Sequence, residues 1–179
     1  MNSNFFAIVF FLFLSAHAQE NRLEVEKETS FVQYEGKHLL HEWEGINKSI
    51  SGVALQDQES EQLTKIALVL IVQDFDSNNS GRDAHALEVL EALRYPEIKF
   101  FSDKIAYNQG QIIFNGTLDF HGMKVSKKIE AQVQKAENSF SLSGEFELIP
   151  SDFGIELPSF MTVKMKDLLL IRFRVVLLK

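Results

Sequence analysis

The residues able to do chemistry are few in this chain. It has five histidines and no cysteine, which excludes disulfides, thiolate catalysis and zinc sites built on thiolates. His38 and His41 with Glu42 and Glu44 offer a zinc-type cluster, but no helical His-x-x-x-His pair accompanies it and the spacing is a weak signal. No Gly-x-Ser-x-Gly, phosphate-loop or dinucleotide motif occurs. What remains suits holding a ligand better than converting one. Arg82, Asp83 and His85 stand together at the start of an expected helix, where a guanidinium can bind phosphate or another oxygen-rich group. The alternative for Arg82 is an ion pair with Asp83 or Asp152. His121 ends a strand at a tight turn, and either meets a ligand's polar end or serves the turn itself. Asp167 interrupts an apolar face, as a bulge, a buried partner for Arg82 or a slip in register.

Strands must position these residues, because the dominant hydrophobic period is two. Within Gln111 to Phe120, Ile112, Phe114, Leu118 and Phe120 share one face, opposite Asn115, Thr117 and Asp119. Val125 to Gln134 and Phe140 to Leu148 alternate in the same way, with Phe140, Leu142, Phe146 and Leu148 on the apolar side of the second. The last segment reads as one long strand from Val163 to Leu177, with Ile171 and Phe173 on its apolar face. Thr64 to Val72 is apolar on both faces at its centre, as in a covered central strand. Phe31 to Gly36 and Ser49 to Leu55 are shorter strands. Seven or eight strands at this spacing predict an all-β barrel or sandwich. One helix interrupts them over about residues 81–93, with Ala84, Leu87, Leu90 and Leu93 at helical spacing, Ser80 and Asp83 as a capping box, and Tyr95-Pro96 as the stop.

The remaining composition sets the setting. Apolar residues make up 45% and charged residues 24%, the usage of a globular domain. A net charge of −7 disfavours nucleic acid as a partner. Phe5 to Leu14 is an unbroken apolar run followed by Ala16-His17-Ala18, too short to span a bilayer. It predicts a signal peptide over residues 1–18, cleaved before Gln19, and hence a periplasmic or secreted protein with no integral membrane span. Residues 19–30 are expected as an acidic, mobile tail ahead of a single barrel domain over 31–179.

Four motifs together resemble the YceI-like family: Arg82-Asp83-Ala84-His85 at the helix start, Tyr95-Pro96-Glu97-Ile98-Lys99-Phe100, Asn115-Gly116 through His121-Gly122-Met123, and Ser151-Asp152-Phe153-Gly154-Ile155. Lys124 and Pro150 depart from the family's Thr and Arg. The resemblance implies an eight-stranded antiparallel, lipocalin-like β-barrel with one short helix near an opening. It also implies an apolar tunnel for a polyisoprenoid lipid, polyprenyl or isoprenoid-quinone-type, as the bound partner. No catalysis and no cofactor are expected, and a homodimer is compatible with the sequence.

On that reading Ile112, Phe114, Leu118, Phe120, Phe140, Leu142, Phe146, Ile171 and Phe173 line the tunnel, and Arg82, His85 and His121 stand near its opening. The same faces could equally pack as a solid core, since small barrels do either. Gly116 and Gly144 lie on the inward faces, and either leave room for a guest or bend their strands. A filled barrel would instead serve as a structural or protein-interaction module. A lipid-converting enzyme would need perturbed titratable groups inside the cavity. The stock of 16 phenylalanines against 3 tyrosines and 1 tryptophan suits an oily bore, because phenylalanine brings no polar atom that needs a partner.

Overall fold

The computed structural model describes residues 19–37, 42–160 and 163–179. The expected signal peptide, and His38 and His41 of the zinc-type cluster, lie outside the described residues. In chain order the elements are β1 (Glu20–Lys37), β2 (Glu42–Asn47), β3 (Ser51–Asp57), β4 (Leu63–Ile71), α1 (Ser80–Val89), β5 (Glu97–Ser102), β6 (Ile105–Asn108), β7 (Gln111–Phe120), β8 (Met123–Ala136), β9 (Ser139–Leu148), β10 (Ser159–Phe160), β11 (Val163–Lys164) and β12 (Leu169–Leu178).

Eight strands close an antiparallel barrel in the order β1-β3-β4-β5-β7-β8-β9-β12, with β12 returning to β1. β2 and β6 continue two of these staves past a break: β2 pairs with the second half of β1, and β6 with the first half of β7. Closure leaves no long unpaired edge, and the inward residues of every stave face one interior. The β10–β11 hairpin stands apart as a two-stranded sheet.

Four expectations are corrected. The acidic stretch is not a tail: Glu20–Asn21 open β1, Leu23 has no exposed surface, and Glu24 pairs with both Leu178 and Val53. Its glutamates alternate with Leu23 and Val25, so the acidity marks a solvated strand face. The helix ends at Val89 instead of near 93. Glu91 takes a left-handed φ of 45°, and Ala92 N–H closes back onto the Leu87 carbonyl at 2.9 Å, so the chain stops the helix before Pro96 is reached. The cap is Asn79, whose side chain accepts from Arg82 N–H at 3.0 Å, while Asp83 reaches back to Ser77. Finally, the long last strand is two: β11 ends at Lys164 and β12 starts at Leu169. Between them Asp167 accepts from Ser151 N–H at 3.0 Å, tying the 3-10 turn Pro150–Phe153 to the strand start.

Candidate functional site

The barrel interior is divided along its axis. At one end Leu23, Ala54, Leu63, Ile112, Phe140 and Leu177 are each at most 2% exposed and pack as a solid floor. Above them the interior opens into a cavity of about 290 Å³. One water needs only about 10–15 Å³ of such space, so this is room for a guest and not for stray solvent.

α1 lies across the open end, because it joins the end of β4 to the start of β5, neighbours at Ile71 and Glu97. Its inner face presents Ala86, Leu87 and Val89 to the cavity, with Leu90 following at its C-terminal cap, and none of the helix residues is fully buried. A helix covering a filled core would bury that face. Asn47, wholly buried, ties β2 to the end of β4 from which the chain leaves for α1: its amide donates to the Ile71 carbonyl at 2.9 Å and its oxygen accepts from Ser49 N–H at 2.8 Å.

Of the residues expected along a tunnel, Phe114, Leu118, Phe120, Leu142, Phe146, Ile171 and Phe173 face the cavity. Ile112 and Phe140 do not; they belong to the floor, because alternation assigns a residue to a face of its strand but not to a depth in the barrel. Gly116 and Gly144 make no room for a guest. A Cβ on Gly116 would come within 2.4 Å of the Phe101 carbonyl oxygen and 2.6 Å of the Phe100 ring, and one on Gly144 within 2.5 Å of the Glu130 carbonyl. Both are places where neighbouring backbone comes too close for any side chain.

The polar residues separate. Arg82, Asp83 and His85 line the cavity at its mouth. His121 does not reach it. Its Nδ1 lies 3.0 Å from the Phe153 carbonyl oxygen, its ring lies 4.7 Å from that of Tyr95, and it pins the Pro150–Phe153 turn to the β7–β8 turn. Of the three carboxylates considered for Arg82, Asp83 accepts from the Ser77 N–H at 3.2 Å and hydroxyl at 2.5 Å, Asp167 accepts from Ser151 N–H, and among the described residues neither these nor Asp152 forms an ion pair with it.

Sequence reasoning missed Tyr34 and Trp43, which complete the mouth. They face each other's glycines across the β1–β2 ladder, Tyr34 opposite Gly45 and Trp43 opposite Gly36, a pairing visible only once the register is known. Phe100, Ile98 and Leu68 also line the cavity, and their alternation in β4 and β5 could have found them. Burial raises the Tyr34 phenol above its ordinary range, with the Asp83 carboxylate adding to the shift and Arg82 opposing it. At neutral pH the phenol is protonated and can donate a hydrogen bond, and the shift moves its ionisation further into the alkaline range. Among the described residues no His, Asp and Glu cluster is placed to hold a metal, and no helix is long and apolar enough to cross a membrane.

A closed antiparallel barrel with a packed floor, an oily upper chamber and a helix over the mouth defines the class of small ligand-binding barrels. Residues 23–177 match the YceI-like domain, and the chain belongs to that family. It is 25% identical over 131 residues to Protein YceI of Salmonella agona, covering 72% of this chain and 69% of that protein. To Protein YceI of Salmonella newport it is 25% identical over 122 residues, 66% of this chain and 64% of the relative. Among solved structures, BcnA of Burkholderia cenocepacia superposes with a TM-score of 0.76 at 20% identity, over 85% of this chain and 98% of that one. A polyisoprenoid binding domain from Saccharophagus degradans gives 0.71 at 12% identity, over 87% and 97%.

Proposed function

We propose that this protein is an exported lipid-binding barrel that holds or carries an isoprenoid chain in the chamber beneath α1, without converting it. The observation carrying this reading is the change from packed floor to open, apolar chamber within one barrel. Each CH₂ transferred from water into such a chamber gains about 0.8 kcal/mol, so a long hydrocarbon is held without charged contacts. Family membership supports the reading, and a structural neighbour described as polyisoprenoid binding supports the guest class. The guest's polar end sits at the mouth, beside Arg82 and His85. Export rests on the apolar run Phe5 to Leu14 and the small-x-small site ending at Ala18.

The test is organic extraction of protein purified from its native compartment, followed by mass spectrometry, with saturable uptake of a polyprenyl probe by the delipidated chain as the second arm. An isoprenoid in the extract and one-to-one uptake are expected. Absence of both ends the reading.

A further inference from the structure

The cavity wall is apolar except along one arc of its mouth, where Tyr34, Arg82, Asp83 and His85 meet it. Arg82 brings a permanent positive charge to this arc and is little committed. Its backbone N–H is taken by Asn79 Oδ1 at 3.0 Å, and its guanidinium makes one long contact, Nη1 donating to the Ser77 carbonyl at 3.4 Å. Asp83 is turned onto Ser77 by two hydrogen bonds, and among the described residues no carboxylate lies within ion-pairing distance of Arg82. A guanidinium has five N–H donors in a rigid fork and keeps its charge at any ordinary pH. Here that fork stands half-buried at the rim of an oily chamber with most of its donors unused. Hydrocarbon alone leaves those donors without a partner, and a neutral alcohol answers at most one or two of them. A phosphate or carboxylate answers them in pairs.

We propose that Arg82 is the receptor for an anionic head group, so that the preferred guest is a single isoprenoid chain ending in phosphate or carboxylate, its charge on the guanidinium and the Tyr34 hydroxyl beside it as a further donor. The proposal rests on the isoprenoid reading above and adds to it the class of head. Charge-assisted hydrogen bonds are stronger than neutral ones, so the charged guest should bind on the order of ten- to a hundred-fold more tightly than its alcohol.

The test titrates delipidated protein with farnesol, farnesyl phosphate and farnesoic acid, read by the emission of Trp43, the chain's only tryptophan and part of the cavity wall. Arg82→Gln and Arg82→Lys are measured beside the parent, with the thermal unfolding transition as the control that each variant keeps its fold. Expected are tighter binding of one or both anions than of farnesol, loss of that preference in Arg82→Gln, and partial retention in Arg82→Lys. Phosphate above carboxylate identifies a phosphorylated guest, and the reverse a prenyl acid. Equal binding of alcohol and anions, or a preference that survives Arg82→Gln, overturns the anionic receptor while leaving chain binding intact. If no farnesyl compound binds while a longer polyprenyl probe is still taken up, the anionic receptor is overturned and chain binding stands; if neither binds, both readings fall together.

Discussion

Gly36 and Trp43 are direct partners on the β1–β2 ladder, and the indole lies over the glycine so closely that a Cβ there would come within 2.7 Å of its ring. Two rungs along, the roles reverse: Tyr34 lies over Gly45, where a Cβ would meet its ring at 2.5 Å. Each glycine is the seat of the aromatic facing it, and the two rings form the β1–β2 side of the cavity mouth. Alanine in either seat must push its ring aside. Gly36→Ala is expected to cost about 1–3 kcal/mol, the usual range for overpacking, and to shift the emission of Trp43. Gly45→Ala should cost a similar amount through Tyr34 while leaving the indole signal nearer to that of the parent.

The division between floor and chamber makes a paired prediction on two phenylalanines of one strand face. Phe140 is 2% exposed in the floor, and Phe140→Ala should lose about 3–5 kcal/mol in chemical denaturation. Uptake of a prenyl probe by the surviving folded fraction should not change. Phe146 borders empty space, touching the Phe173 ring at 6.4 Å between centroids, so Phe146→Ala should lose less stability but alter probe affinity. Equal effects of the two on uptake would show that the chamber extends through the floor.

Tyr34 and Tyr107, both partly buried, contribute an alkaline pH dependence. Burial raises both phenols; Asp83 adds to the shift at Tyr34, and at Tyr107 the Leu63 N–H, donating to the hydroxyl at 2.6 Å, opposes it. A phenol raised in the folded state keeps its stabilising contribution below the unfolded value of about 10. That contribution is then lost as pH climbs through the folded value. Stability should therefore fall on the alkaline side, and Tyr34→Phe and Tyr107→Phe should each flatten the fall. Phenolate absorbance, taken as the difference between parent and variant, should place both ionisations above that of free tyrosine.

Much of the fold was legible because strand faces announce themselves by alternation. β7 spans Gln111–Phe120 as its pattern requires, and the turn at His121-Gly122 follows it. Three misreadings share one cause: linear pattern carries no information on what lies across the gap. Leu93 continues the helical spacing of Leu87 and Leu90, yet it is fully exposed, because Glu91 has already turned the chain. Asp167 looked like a flaw in one strand and is the anchor of a turn sixteen residues earlier in sequence. Ile112 and Phe114 read alike, but only the second reaches the chamber.

The start of the chain offers a plain measurement of the same point. If residues 20–26 were a tail, their removal would be neutral. As the first half of β1 they pair with β12 on one side and β3 on the other, and Leu23 sits in the floor with no exposed surface. Leu23→Ala should therefore cost about 2–5 kcal/mol, and a chain beginning at residue 28 should lose its cooperative thermal transition.

His121 separates a structural role from a ligand-binding one. Its Nδ1 faces a carbonyl that can only accept, so the ring hydrogen sits on Nδ1, and its Nε2 is buried without a partner. The residue also takes a left-handed φ of 50°, which asparagine tolerates better than most residues. The asparagine amide N–H can stand where Nδ1–H stands now and donate to Phe153. His121→Ala should cost about 1–3 kcal/mol by stranding that carbonyl, His121→Asn should recover most of the loss, and prenyl uptake should be the same in both. A stable His121→Asn protein with weakened uptake would instead place the imidazole in contact with the guest, and the Pro150–Phe153 turn would then have to be held by Asp167 alone.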